Sequence, residues 1–184
     1  MSGLLKEYEY KGVHMMIKPK IERALNKQVN VEFSAFYSYL SMAAYFESHH
    51  MSGFSKWYKI QSNEEFKHAM RLYEYIISRG GKVVLTSIAT PETQGKSLLS
   101  VFEAAYAQEL KVSALINELM DMAKSEGDHA TEVMLQWFVT EQVEEEDTAN
   151  TNVQRFKFIK DTTEGIDAFD RELGARKSKS HKKE

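Results

Sequence analysis

The chain has no cysteine among its 184 residues. That removes disulfides, thiolate metal sites and cysteine nucleophiles together, so any metal ligand here is an oxygen or an imidazole. Proline occurs only twice and glycine nine times, which leaves long segments without punctuation and favours helices over strands. Neither sign of charge dominates: 24 Lys and Arg stand against 27 Asp and Glu, a formal net charge of -3. No global basic field draws the chain to nucleic acid or to an anionic membrane. Long apolar runs are missing too. The longest uncharged one, ending at Phe46, is too short to span a bilayer, and the charged N-terminus does not read as a signal peptide. The expectation is a soluble, cytoplasmic protein with one main domain, residues 16–174, a short extension at 1–15 and a basic, solvated tail at 175–184.

What is present is helical punctuation. Pro19 suits a first helical position, because its missing N–H has no partner there, and the helix it opens runs to about Glu47. A second, capped near Ser52, runs from about Gly53 to Arg79 and stops at Gly80-Gly81. A third runs from Ser97 to Glu126, and a fourth starts from the N-cap Asp128 and reaches about Ile159. A short fifth follows, with Asp161 and Glu164 as its capping box and Ile166, Phe169 and Leu173 as its apolar edge. Residues 82–96, the link between helices two and three, can extend to roughly 50 Å at about 3.3 Å each. A helix of 27 residues is about 40 Å long. This link can cross the whole molecule while the other joints cannot, so the expected fold is all-α, a four-helix bundle with one long crossover.

Bundle helices turn positions spaced three and four apart toward the core. Helix one gives Leu25, Val29, Glu32, Phe36, Tyr39, Ala43 and Phe46. Helix two gives Tyr58, Gln61, Glu65, His68, Leu72 and Tyr75. Helix three gives Leu99, Phe102, Tyr106, Glu109, Ser113, Ile116 and Met120, and helix four Leu135, Phe138, Gln142, Glu145, Ala149, Asn152 and Phe156. Every stripe is interrupted near its midpoint by a carboxylate. One such Glu reads most simply as a buried stem with its head in water, and a lone His68 as a satisfied core histidine. Four acids at matching depth converge, and each uncompensated buried charge costs several kcal/mol. Two divalent cations would balance Glu32, Glu65, Glu109 and Glu145. Glu65 and His68, three apart on one face, can grip a single ion, and an oxygen-rich shell with one nitrogen suits iron or manganese.

With "NVEFSAFYSYL", "NEEFKHAMRL", "QEL…INEL" and "LQWFVTEQVEEE", the chain resembles the non-haem ferritins of bacteria and archaea over about Met16 to Leu173. The resemblance implies a ferritin-like di-iron bundle that oxidises Fe(II) with dioxygen or hydrogen peroxide and stores the ferric product in a hollow shell of 24 subunits, without haem, membrane or nucleic acid. It implies that Glu32, Glu65 and His68 hold one iron and that Glu65, Glu109 and Glu145 hold the second, with Glu65 bridging. Gln142 lies beside the second iron, and Tyr39 serves as an electron donor. Glu64, Glu141 and Glu144, with Glu145, match a third iron site, although "VEEED" also reads as a solvated acidic run. Helix four departs from the symmetric pattern: Gln142-x-x-Glu145 replaces Glu-x-x-His, so the second iron lacks an imidazole and is held more weakly. Glu126, Asp128, His129 and Glu132 are candidates to line threefold channels, or simply favour a helix dipole. A di-iron or di-manganese oxygenase or peroxidase would call for a second inward E-x-x-H on helix four, where Gln142-x-x-Glu145 stands instead, and a metal-free interaction bundle would bind no iron.

Overall fold

The computed structural model describes residues 16–91, 97–160 and 162–178. Among them are five helices: α1 (Pro19–Ser48), α2 (Ser52–Ser78), α3 (Leu98–Glu126), α4 (His129–Ile159) and α5 (Thr163–Gly174). The extension at 1–15 lies outside the described residues. α1 packs along α2 and α3 along α4, α1 also faces α3, and α5 lies across the start of α2. Several ends follow from local chemistry. Pro19 opens α1, the Ser97 side chain accepts from Ser100 N–H at the start of α3, and Asp128 accepts from Thr131 N–H at the start of α4. Gly127 closes α3 at φ 62°, a left-handed turn that glycine enters without a Cβ clash.

Two caps differ from expectation. Ser52 is the first helical residue of α2, and the cap position, Met51, makes no side-chain hydrogen bond. Its role is taken from outside: the Asp170 carboxylate on α5 accepts from Gly53 N–H at 3.0 Å and Phe54 N–H at 2.7 Å. α5 is capped by Thr162, whose hydroxyl accepts from Gly165 N–H at 3.3 Å, while Asp161 lies outside the described residues. The α2–α5 contact is close enough to require glycine. A Cβ on Gly53 would lie 1.8 Å from the Asp170 carbonyl oxygen, and one on Gly174 would lie 2.9 Å from the Gly53 Cα.

The crossover is tied to α1 by a ladder that sequence periodicity did not disclose. Lys82 N–H donates to Glu22 Oε1 at 3.1 Å. Asn26 donates to the Lys82 carbonyl at 2.8 Å and accepts from Val84 N–H at 2.6 Å. Asn30 repeats this with the Val84 carbonyl at 2.8 Å and Thr86 N–H at 2.7 Å. Four helical residues rise about 6 Å and two extended residues about 6.6 Å, so every fourth side chain of α1 meets every second peptide of the crossover.

The apolar core falls into two parts. One gathers Leu25, Val29, Leu72, Ile116, Leu135 and Phe138, among others. The other is aromatic, with Phe46, Phe54, Tyr58, Phe102, Phe156 and Phe169 in mutual ring contact at centroid distances from 5.1 to 5.8 Å along the cluster. The expected stripes are one column too narrow: Phe36, Tyr75, Leu99, Tyr106 and Ser113 are only partly covered, whereas Ala35, Ile76, Val101, Ala105 and Val112 are buried. A 3.6-residue helix drifts against a fixed spacing, so neighbouring columns share the inward face. All seven α4 positions expected to face inward are buried. Between the two apolar regions lies a buried polar layer.

Candidate metal centre

One acid from each of the four long helices enters this layer. Glu32, Glu65, Glu109 and Glu145 are all buried, with relative exposures of 0%, 1%, 1% and 4%, and His68 stands at 2%. Among the described residues, two sets of side chains bring ligand atoms within 4.8 Å of one another: Glu32, Glu65 and His68, and His68, Glu141 and Glu145. His68 Nδ1 lies 3.4 Å from Glu65 Oε2. The imidazole thus stands between the two sets, where the resemblance gave it to the first alone, and half-buried Glu141 joins the second.

Glu109 is turned elsewhere. Tyr39, fully covered, donates its hydroxyl to Glu109 Oε1, and Gln142 Nε2 reaches Glu109 Oε2 at 3.4 Å and Ser113 Oγ at 3.2 Å. Glu144 is exposed on α4, apart from both sets, and Glu64 is buried on α2 and also in neither. Of the channel candidates, Asp128 is buried and engaged by Arg79 at 3.2 Å as well as by the α4 N-terminus. Glu126 pairs with Lys20 at 2.8 Å, and exposed His129 pairs with Glu132 at 2.9 Å.

The electrostatics are those of acids crowded out of water. Burial first, and the Glu65 charge second, push Glu32 up to about 8. The same two causes raise Glu145 to about 7, and burial with the Glu65 charge lifts Glu109 well above the carboxylate range. Burial would lower His68, but its hydrogen bond to Glu65 and the neighbouring carboxylates outweigh that and raise it to about 9. Tyr39 is driven upward by burial and by Glu109. Without a metal, the layer therefore holds protons. Glu32 Oε2, Glu145 Oε1 and Glu64 Oε1 are buried and have no hydrogen-bond partner. Such orphaned acceptors suit cations, and an oxygen-rich set with one imidazole suits a transition metal such as iron.

Three supporting roles escaped sequence reading, although Gln61 was expected to face inward. Gln28 Nε2 donates to Glu32 Oε1 at 2.7 Å, and Gln61 Nε2 donates to Glu65 Oε1 at 3.0 Å and Glu145 Oε2 at 2.7 Å. A signal existed: "QVNVE" and "QSNEE" place Gln and Asn at the same offsets before the inward Glu of α1 and α2. The third is Arg176, beyond α5. Expected in a solvated tail, it instead donates to Glu64 Oε2 at 2.6 Å and Gln61 Oε1 at 2.9 Å. Its sequence context carried no signal, because the contact spans 112 positions.

Residues 22–159 match the model of the ferritin-like domain. A bacterial non-heme ferritin of Bacteroides fragilis is 42% identical over 161 residues, covering 88% of this chain and all of the relative. One from Staphylococcus saprophyticus is 37% identical over the same length, covering 88% of this chain and 96% of the relative. An open-pore ferritin from the hyperthermophilic archaeon Archaeoglobus fulgidus superposes with a TM-score of 0.86 at 41% identity, over 88% of this chain and 98% of that structure.

Proposed function

The chain belongs to the ferritin family, and we propose on that premise that its buried polar layer is a ferroxidase centre serving iron storage. The observation that carries the reading is the convergence of Glu32, Glu65, His68 and Glu145 between two apolar regions, with partnerless oxygens on Glu32 and Glu145. Iron is the substrate. Glu32, Glu65 and His68 take one Fe(II), and Glu65, Glu145 and Glu109 take the second, with Glu65 between them. Glu109 reaches the second ion once its hold on Tyr39 and Gln142 loosens, and Gln142 stays beside it. Two Fe(II) ions lose one electron each, and dioxygen takes both with two protons to leave as hydrogen peroxide. The chain's part is placement and charge compensation: carboxylates held by Gln28 and Gln61 keep the ions near enough to act as a pair. When a third Fe(II) is also oxidised and dioxygen goes on to two waters, Tyr39, bonded to Glu109, is placed to supply the fourth electron together with its phenolic proton.

Helix four offers Gln142 and Glu145 but no histidine at that depth, so the second ion is the weaker held and moves on. Glu64, Glu141, Glu144 and Glu145 form its next position. The ferric product collects inside a closed shell of 24 copies, for which exposed Leu40, Val84, Leu85, Ile88 and Phe158 offer apolar contact surface. Among the described residues, no helix is long and apolar enough to cross a membrane. The test is Glu65→Ala, followed by the absorbance rise when Fe(II) is added in air. Fast oxidation should disappear while the helical circular dichroism signal persists; oxidation at the wild-type rate would refute Glu65 as the shared ligand.

A further inference from the structure

The outer acid of the centre already has a cation. Glu64 is 2% exposed at its side chain, yet Arg176, two residues beyond the end of α5, reaches it with Nη2 at 2.6 Å. The guanidinium also lies 4.6 Å above the ring of Trp57 and is itself only 18% exposed. Its second terminal nitrogen does not complete a fork on the carboxylate. It donates instead to Gln61 Oε1 at 2.9 Å, leaving Glu64 Oε1 buried with no hydrogen-bond partner. A pair built only for stability would use both carboxylate oxygens, since the two-toothed geometry is the stronger one. Here the compensation is half complete. Gln61 then carries the contact inward: with its carbonyl fixed on Arg176, its amide nitrogen faces Glu65 and Glu145.

We infer that Arg176 is a tethered cation competing for the outer ion position at Glu64: while the guanidinium sits there a third divalent ion does not, and the ion enters as the C-terminal segment lifts away. The inference rests on the two-ion centre proposed above. It makes Arg176 a gate between oxidation and onward movement of iron. A divalent ion at Glu64 brings two charges and demands several oxygens, so it displaces a single guanidinium that satisfies one of them.

The test uses Zn2+, which does not change oxidation state, titrated calorimetrically into the assembled wild type, Arg176→Ala and a chain ending at Ala175. The first two binding steps should be alike in all three. The third should be at least about tenfold tighter in both altered chains, the scale on which removing a competing buried charge acts. In a Glu64→Gln background, Arg176→Ala should bring no such gain. Trp57 emission, taken as the difference between wild type and Trp57→Phe, should change at the third step alone. Equal third-step affinity in wild type and both altered chains overturns the gate while leaving the centre standing, as does a third ion that binds wild type without altering Trp57 emission. Failure of the wild type to take up the first two ions refutes the centre and the gate together.

Discussion

Filling the centre with Zn2+ should expel protons, and their number follows from the site. At pH 7, Glu32, raised to about 8, is about nine-tenths protonated, and Glu145, raised to about 7, is about half protonated. His68, raised to about 9, holds its proton, and burial with the Glu65 charge raises Glu109 as well. Metal ligation requires carboxylates and a neutral imidazole, so Glu32, Glu145 and His68 together release about two protons per chain on loading at pH 7, and fewer as pH rises. Affinity for the ion climbs with pH over the same range.

Stability of the metal-free protein runs the other way. The carboxyl groups are raised from 4.5, so the folded state holds more protons than the unfolded one above about pH 4.5, and this costs stability as pH rises toward 7 and 8. His68 adds stability that is complete below 6.5 and is lost as pH passes its folded value of about 9. Both slopes have the same sign, about 1.4 kcal/mol per pH unit for each extra proton held. Zn2+ titration in buffers of different ionisation enthalpy measures the release, and denaturation of chelator-treated protein at pH 5 and pH 8 measures the slope. Release below about one proton per chain at pH 7, or metal-free stability that increases between pH 5 and 8, would refute the assignment of protons to these acids.

Other perturbations address the supports. Tyr39→Phe removes the hydroxyl held by Glu109; the first two Zn2+ ions should bind nearly as before, while a transient tyrosyl signal during Fe(II) oxidation disappears in electron paramagnetic resonance. Gly53→Ala places a Cβ 1.8 Å from the Asp170 carbonyl, so α5 should leave α2, read as faster hydrogen exchange at Gly53 and Phe54 with the four long helices still protected. Asn26→Ala strips partners from the Lys82 carbonyl and the Val84 N–H, a loss of about 1–3 kcal/mol by the cost of unmade hydrogen bonds. Denaturant midpoints of wild type and variant would show it, and a change under about 0.5 kcal/mol would mean the crossover is held by other contacts.

How much of this was legible depended on range. Asp128, Ser97, Gly127 and Pro19 mark helix ends because their chemistry acts within four residues, and the structure places the ends where that chemistry implies. The four inward acids were visible because helical periodicity exposes any polar residue in an apolar column, and all four are buried. What local pattern cannot show is pairing across the chain. Asp170 on Gly53 and Phe54, Asn26 and Asn30 on the crossover, and Arg176 on Glu64 each join residues more than fifty positions apart. Glu109 was placed at the right depth, yet its turn toward Tyr39 depends on competing hydrogen bonds that spacing does not rank.

The asparagine rungs between α1 and the crossover act as a vernier. Two scales of slightly different pitch, about 6 Å and about 6.6 Å, stay in phase for only a few divisions, and the chain uses Glu22, Asn26 and Asn30 before they diverge. Adding one residue between Lys82 and Thr86 would present the wrong side of every later peptide to α1, and adding two would overrun the asparagines. Peptide grafts should therefore be tolerated after Thr86 and rejected before it, which makes the first third of this surface segment as intolerant of length change as a buried helix.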